Sequence, residues 1–235
     1  MSQLHAALML FPFILIAAAG CAAEHRGATT KPADAEAGFI SIFNGQNLDG
    51  WVYGMNDAGR FYKSGNGYQV DRQRKVVYCT VDDGGMLFTQ KEYDNFVLRL
   101  EFKLTPGANN GIGIRAPLQG NASYNGMEIQ VLDDTAEKYA HLRPEQYCGS
   151  IYDLFAAQRG HLKPVGEWNS EEITALGRHV KVVLNGSTIV DANLDDMKDP
   201  AKLAKHPGLW RTSGHIGFLG HGADVEFRNL RVKEL

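Results

Sequence analysis

The chain of 235 residues has only three cysteines, and none stands in a Cys-x-x-Cys or histidine–cysteine metal spacing. That excludes a zinc-stapled or disulfide-dense scaffold. Long apolar runs are also scarce. The one conspicuous stretch, Ala6 to Ala19, is broken by Pro12 and is too short for a comfortable membrane span. Charge of one sign is not in excess: 24 basic and 27 acidic residues leave a net charge of −3. No basic stripe appears, so nucleic acid is not an expected partner. Tandem repeats and long amphipathic helical patterns are missing as well. What remains is ordinary globular material, 44% hydrophobic and 22% charged, enough for a sizeable core. Glycine is plentiful at 26 residues, much of it between short apolar runs. That pattern favours many turns and therefore β structure.

The N-terminal apolar stretch fits the core of a signal peptide. It ends in Ala18-Ala19-Gly20-Cys21, and small residues directly before a cysteine resemble a bacterial lipobox. There the cysteine is lipidated and becomes the new N-terminus. The expectation is export, with residues 1–21 a signal peptide and Cys21 the lipidation site. The protein is then anchored to the cell envelope or periplasmic, and touches a membrane only through that lipid. Residues 22–37 are small, polar and aperiodic, as in a flexible tether, and residues 38–235 form the domain. Cys79 and Cys148 remain in it. Export permits a disulfide between them, and two separately buried thiols are equally compatible.

From Phe39 onward strands recur. Phe96, Leu98, Leu100, Phe102 and Leu104 alternate with Val97, Arg99, Glu101 and Lys103, which predicts a half-buried strand. Residues 111–115, 127–132, 215–219 and 225–232 are also strand-like. Asn185-Gly186 between the apolar runs 180–184 and 187–190 signals a hairpin. Residues 134–172 read as irregular, with short helices or binding loops. Two stacked antiparallel sheets are the simplest way to bury such faces, and a jelly roll is the expected all-β architecture.

Ordered motifs then carry a resemblance. They include Phe43-Asn-Gly-Gln-Asn-Leu-Asp-Gly-Trp51, Asn110-Gly111 with Arg115, and Gly126-Met-Glu128-Ile-Gln130-Val-Leu-Asp133. Gly149-Ser-Ile-Tyr152, Lys163-Pro-Val-Gly-Glu-Trp-Asn169, Val183-Leu-Asn-Gly186 and Gly214-His-Ile-Gly217 follow. His221-Gly222 and Phe227-Arg-Asn-Leu-Arg231 close the series. Together the segment from about Phe39 to Leu235 resembles the 3-keto-disaccharide hydrolase domain, also called 3-keto-glucoside-1,2-lyase/3-keto-2-hydroxy-glucal hydratase. The resemblance implies a concanavalin A-like jelly roll that cleaves sugars already oxidised at C3. A separate sugar 3-dehydrogenase is then an expected partner. One departure stands out: Leu219-Gly220 occupy the place where the family commonly carries Gln-Asp before His-Gly.

The residues allow a test of the chemistry. Glu128 to Asp133 is similar to the E-x-D-x-x-E strand of jelly-roll glucanases, but Gln130 replaces the central carboxylate and Asp133 the final one. A glucanase mechanism therefore does not transfer. A ketone at C3 acidifies the hydrogen on C2, so a base can start an elimination that breaks the C1–O bond, and water then adds to the enone. Such a site needs a base, an acid for the leaving oxygen and an enolate stabiliser. Glu128 is the candidate base or metal ligand, His221 the candidate acid or ligand, and Arg115 the candidate stabiliser. Gln130, Asp133, Trp168 and Tyr152 are candidate substrate-binding residues. Glu128 and Gln130 point to one face because strand side chains alternate. A divalent cation is a candidate cofactor, and His215 reads as structural. Two other readings stay open: a carbohydrate-binding lectin-like module without catalysis, which the missing acid near His221 favours, and a conventional jelly-roll glycosidase.

Overall fold

The computed structural model describes residues 36–60, 67–80 and 84–235. The signal segment, Cys21 and the tether up to residue 35 lie outside the described residues. Among the described residues no helix is long and apolar enough to cross a membrane.

Among the described residues thirteen strands appear in chain order, beginning with β1 (Ile40–Ser41), β2 (Trp51–Tyr53), β3 (Tyr68–Asp71), β4 (Val76–Cys79), β5 (Gly85–Tyr93), β6 (Phe96–Leu104) and β7 (Asn109–Ala116). A short helix α1 (Ala122–Asn125) leads into β8 (Met127–Leu132). Then come β9 (Trp168–Leu176), β10 (His179–Leu184), β11 (Ser187–Asn193), helix α2 (Pro200–Lys205), β12 (Gly214–Gly220) and β13 (Val225–Glu234). They form an eight-stranded sheet, β11-β10-β9-β6-β13-β4-β3 with β1 also on β13, and a five-stranded sheet, β2-β5-β12-β7-β8. Every named pairing is antiparallel, for example β6 on β13 and β7 on β8. The expected jelly-roll sandwich of two antiparallel sheets is what the chain forms.

The pleat explains the layering. In β6 the five apolar positions are all buried and the residues between them half-exposed, so one face packs on the core. Each such side chain contributes roughly 1.5–3 kcal/mol on full burial. The sheets meet through aromatics. Phe218 of β12 stacks on Phe227 of β13 with centroids 4.0 Å apart, and on Trp51 of β2 at 5.4 Å. Asn185 and Gly186 both take positive φ, 51° and 86°, between β10 and β11. This is the two-residue turn whose twist matches a hairpin.

The segment expected to be irregular from 134 to 172 behaves so only to residue 167, because β9 begins at Trp168. Its inward positions include Asn169 and Glu171, which break the apolar alternation that would have marked a strand. Cys79 and Cys148 are buried thiols and form no disulfide.

Candidate functional site

The five-stranded sheet is covered on both faces. In β8, Met127, Ile129 and Val131 enter the inter-sheet core. By alternation Glu128 and Gln130 project from the other face. There α1, the loop between β8 and β9, and the turn after β12 enclose a cavity of about 180 Å³. Its walls include Glu128, Gln130, Asn109, Tyr152, Tyr124 and His221. The volume suits one sugar ring, and the lining is amides, phenols, one serine hydroxyl, one carboxyl, one imidazole and two leucines.

Local backbone chemistry sets this up. Gly113 and Gly111 of β7 stand opposite Glu128 and Gln130. A Cβ on Gly111 would come within 1.9 Å of Glu128 Oε1, so the carboxyl lies over the bare backbone of β7. Asn121 caps α1 by accepting from the Ser123 N–H at 3.1 Å. With its amide nitrogen turned toward the carboxyl, Gln130 Nε2 lies 3.2 Å from Glu128 Oε1 and 3.3 Å from the Asn110 carbonyl. That orientation follows from the hydrogen-bond network. Burial pushes Glu128 up to about 7, against a partial offset from a hydrogen bond with Ser123. His221 sits at the rim with an exposed edge. The surrounding wall desolvates its ring and holds it below the ordinary histidine value.

The structure thus brings Glu128, Gln130, Tyr152 and His221 together, and leaves three expected residues out. Arg115 is fully buried elsewhere. Pairing of β12 with β7 shifts register between His215–Ala116 and Gly217–Gly113, leaving an extra residue in β7. Arg115 takes φ 49° at this bulge, which re-aims its side chain. Its guanidinium donates to the carbonyls of Gly177 at 2.8 Å, Asp94 at 3.2 Å and Arg211 at 3.4 Å, tying three chain segments together. Asp133 is occupied as a turn residue, accepting from the Gly107 N–H at 2.7 Å and from Thr135 Oγ1 at 2.6 Å. Trp168 lies in the large sheet under the Arg228 guanidinium, 3.9 Å from its ring centroid, with the Lys103 ammonium at 5.2 Å. His215 is structural as expected: its Nδ1 meets the Thr89 carbonyl at 2.8 Å.

Arg115→Ala should therefore destabilise without touching the pocket. Three carbonyls would lose a charged donor, a loss of about 3 kcal/mol. Urea unfolding checks this, and an unchanged midpoint would refute the anchoring role.

The strand alternation could not reveal Asn121, Ser123 and Tyr124, because they belong to a four-residue helix and its cap. Their only signal is the polar, aromatic run Asn121-Ala-Ser-Tyr-Asn125 directly before the Glu128 strand. The missing acid also has a structural correlate. A Cβ at Gly220 would come within 2.6 Å of Cys79 Sγ and 2.9 Å of Tyr68 Oη, so no acidic side chain fits there as the chain stands.

A divalent cation would find Glu128, His221 and amide oxygens here. Among the described residues no three His, Cys, Asp or Glu side chains gather as a ligand set. The donors do not fit a conventional metal site, and no step below is routed through one.

Fold and pocket define a jelly-roll protein with a sugar-sized, largely uncharged cleft outside the sandwich core. The chain belongs to the family of 3-keto-alpha-glucoside-1,2-lyase-like domains, whose model matches residues 38–233. It is 29% identical to a 3-keto-disaccharide hydrolase of Bacteroides thetaiotaomicron, over 87% of this chain and 80% of that one. A candidate glycosyl hydrolase of Parabacteroides distasonis superposes with a TM-score of 0.65 at 29% identity, covering 84% of this chain and 99% of that one. A Bacillus subtilis protein with a galectin-like fold shares the architecture at TM-score 0.52 and 13% identity, covering 80% and 90% of the two chains.

Proposed function

We propose that this carbohydrate-active protein cleaves 3-keto glycosides, including disaccharides, by 1,2-elimination and hydration, with net hydrolysis. The observation that carries the reading is the solitary carboxyl. A conventional glycosidase flanks the bond with two, whereas among the described residues lining the pocket only Glu128 is acidic. An elimination beside a ketone needs one acid and one base.

The two titratable groups divide these tasks by environment. Glu128 is pushed up to about 7 and His221 is held low. At mildly acidic to neutral pH the favoured pair is a protonated Glu128 and a neutral His221, so the carboxyl acts as acid and the imidazole as base. This reverses the roles expected from sequence. His221 takes the C2 proton, and the C2–H electron pair moves to the ketone oxygen. Collapse of that enolate forms the C1=C2 bond and breaks C1–O, whose oxygen takes the Glu128 proton. In hydration the resulting carboxylate takes a proton from water as the water oxygen bonds to C1. The imidazolium returns a proton to C2, and both groups are restored.

Gln130 steadies the Glu128 carboxyl, and Tyr152, held by Gln146 Nε2 at 3.2 Å, is placed to bind sugar hydroxyls. Because the substrate must arrive oxidised at C3, a separate sugar 3-dehydrogenase precedes this step. Export and a lipid on Cys21 would place the reaction at the cell envelope, which the mass of the mature protein from its host tests.

The experiment is product analysis on one disaccharide in 3-keto and unoxidised forms. Cleavage of the first alone supports elimination, cleavage of both points to a conventional glycosidase, and binding without cleavage to a lectin-like module. The pH profile of kcat/KM adds a second check. Activity should rise as His221 loses its proton below its ordinary value and fall as Glu128 ionises around 7. A profile flat from about pH 5 to 9 would exclude both groups, since a titrating acid and base must produce a bell.

A further inference from the structure

Elimination beside a ketone builds negative charge on the ketone oxygen, and a donor aimed at that oxygen is a large lever on rate. With Arg115 turned away, no Lys or Arg is among the described residues lining the pocket. Its hydroxyl donors are Ser123 and three phenols. Ser123 is engaged with Glu128. Tyr139 gives its proton to the Gly107 carbonyl at 3.4 Å. Tyr152 accepts from a neutral amide.

Tyr124 differs. Among the described residues its hydroxyl is committed to no carbonyl or amide, and the Lys205 ammonium lies 4.8 Å from its ring centroid. An ammonium has donors and no acceptor, so it leaves the phenol proton available. A cation held against the ring also polarises the phenol toward donating.

The phenol is gripped from behind. His206, fully buried, meets the Tyr124 ring edge-on at 4.9 Å and 86°. Buried Asp153 holds Lys205 Nζ at 2.7 Å and His206 Nε2 at 3.3 Å, and also pairs with Arg143. Asp153 takes φ 61°, a conformation a residue with a side chain keeps only where its surroundings demand it. A Cβ on Gly208 would come within 2.3 Å of the Asn125–Gly126 backbone, so the turn after α2 packs directly on α1.

We propose that Tyr124 is a catalytic residue, the donor to the enolate oxygen, with Lys205 and Asp153 its positioning residues. This rests on the eliminative reading above. No proton leaves Tyr124: the C2–H pair passes to the ketone oxygen and returns as C1–O breaks, while the hydroxyl only bonds to that oxygen.

The test uses a 3-keto pyranose lacking a leaving group at C1, with exchange of its C2 hydrogen followed in D2O, beside cleavage of a 3-keto disaccharide. Tyr124→Phe should slow both by about 100-fold, as for loss of an oxyanion donor, through kcat with KM little changed. Lys205→Met should slow both by roughly tenfold, within the range of a partly desolvated cation–ring contact, and Lys205→Arg should restore most of the loss. Wild-type exchange rates in Tyr124→Phe would overturn the proposal. Should that variant fail to fold, Lys205→Met decides, since that side chain is 46% exposed; an unchanged exchange rate there overturns it equally. A wild type that neither exchanges nor cleaves overturns the eliminative reading itself.

Discussion

Glu128→Gln is expected to lower turnover of a 3-keto disaccharide by at least about 100-fold, the low end for loss of an acid–base group. The substitution keeps the shape over Gly111, where the carboxyl oxygen lies closest to the strand. It also removes a group whose folded-state value is raised to about 7, so folding should not suffer. The diagnostic readout is the leaving group. A sugar alkoxide departs only with a proton, and the variant cannot supply it. A nitrophenolate departs without one. If Glu128 is the acid, a nitrophenyl 3-keto glucoside should lose far less activity than the disaccharide. If Glu128 is instead the base on C2, both substrates should fail alike. Full activity on both would remove Glu128 from the chemistry and misplace the site.

Half of that site was legible in the sequence. A period of two places Glu128 and Gln130 on one face whatever the rest of the fold does, and the structure puts both in the pocket wall. Arg115 joined them through the motif Asn110-Gly111 with Arg115 and the need for an enolate stabiliser, and the structure turns it away. One inserted residue in β7 is enough to turn a side chain away, and a bulge leaves no mark in hydrophobic alternation. Asp133 failed for a different reason. An Asp just past a strand end serves its own turn more readily than a ligand, and the Gly107 and Thr135 bonds show it doing so. In the fold, strands buried on one face were readable, as in β6. β5 was not, because Met86, Leu87 and Phe88 are consecutive and all buried. A sheet covered on both faces loses the alternation that announces it.

Glu171 supplies the largest expected effect on stability. It sits on β9 facing the sandwich core, 2% exposed, and neither carboxyl oxygen has a hydrogen-bond partner among the described residues. Desolvation pushes it up to about 8, and its charge would in turn disfavour the nearby Cys148 thiolate. The sign follows from linkage. The folded form keeps Glu171 protonated to about 8, while the unfolded chain ionises it near an ordinary value of about 4.3. Stability from this group is therefore fully present below the lower value and is lost as pH rises toward the upper one. At roughly 1.4 kcal/mol per pH unit, the loss reaches several kcal/mol by pH 8. Glu128 adds a smaller loss of the same sign, complete by about pH 7. Glu171→Leu replaces the orphan carboxyl with an apolar group of similar size, and should raise stability at pH 9 by at least the Glu171 loss, roughly 5 kcal/mol. Near pH 4 the gain should shrink to the transfer of a neutral acid. Urea unfolding of both forms at pH 4, 6 and 9 measures it. If the two stability curves run parallel across that range, Glu171 is not a buried neutral acid. If they diverge only above pH 6, the unfolded value is itself raised and the folded value lies higher still.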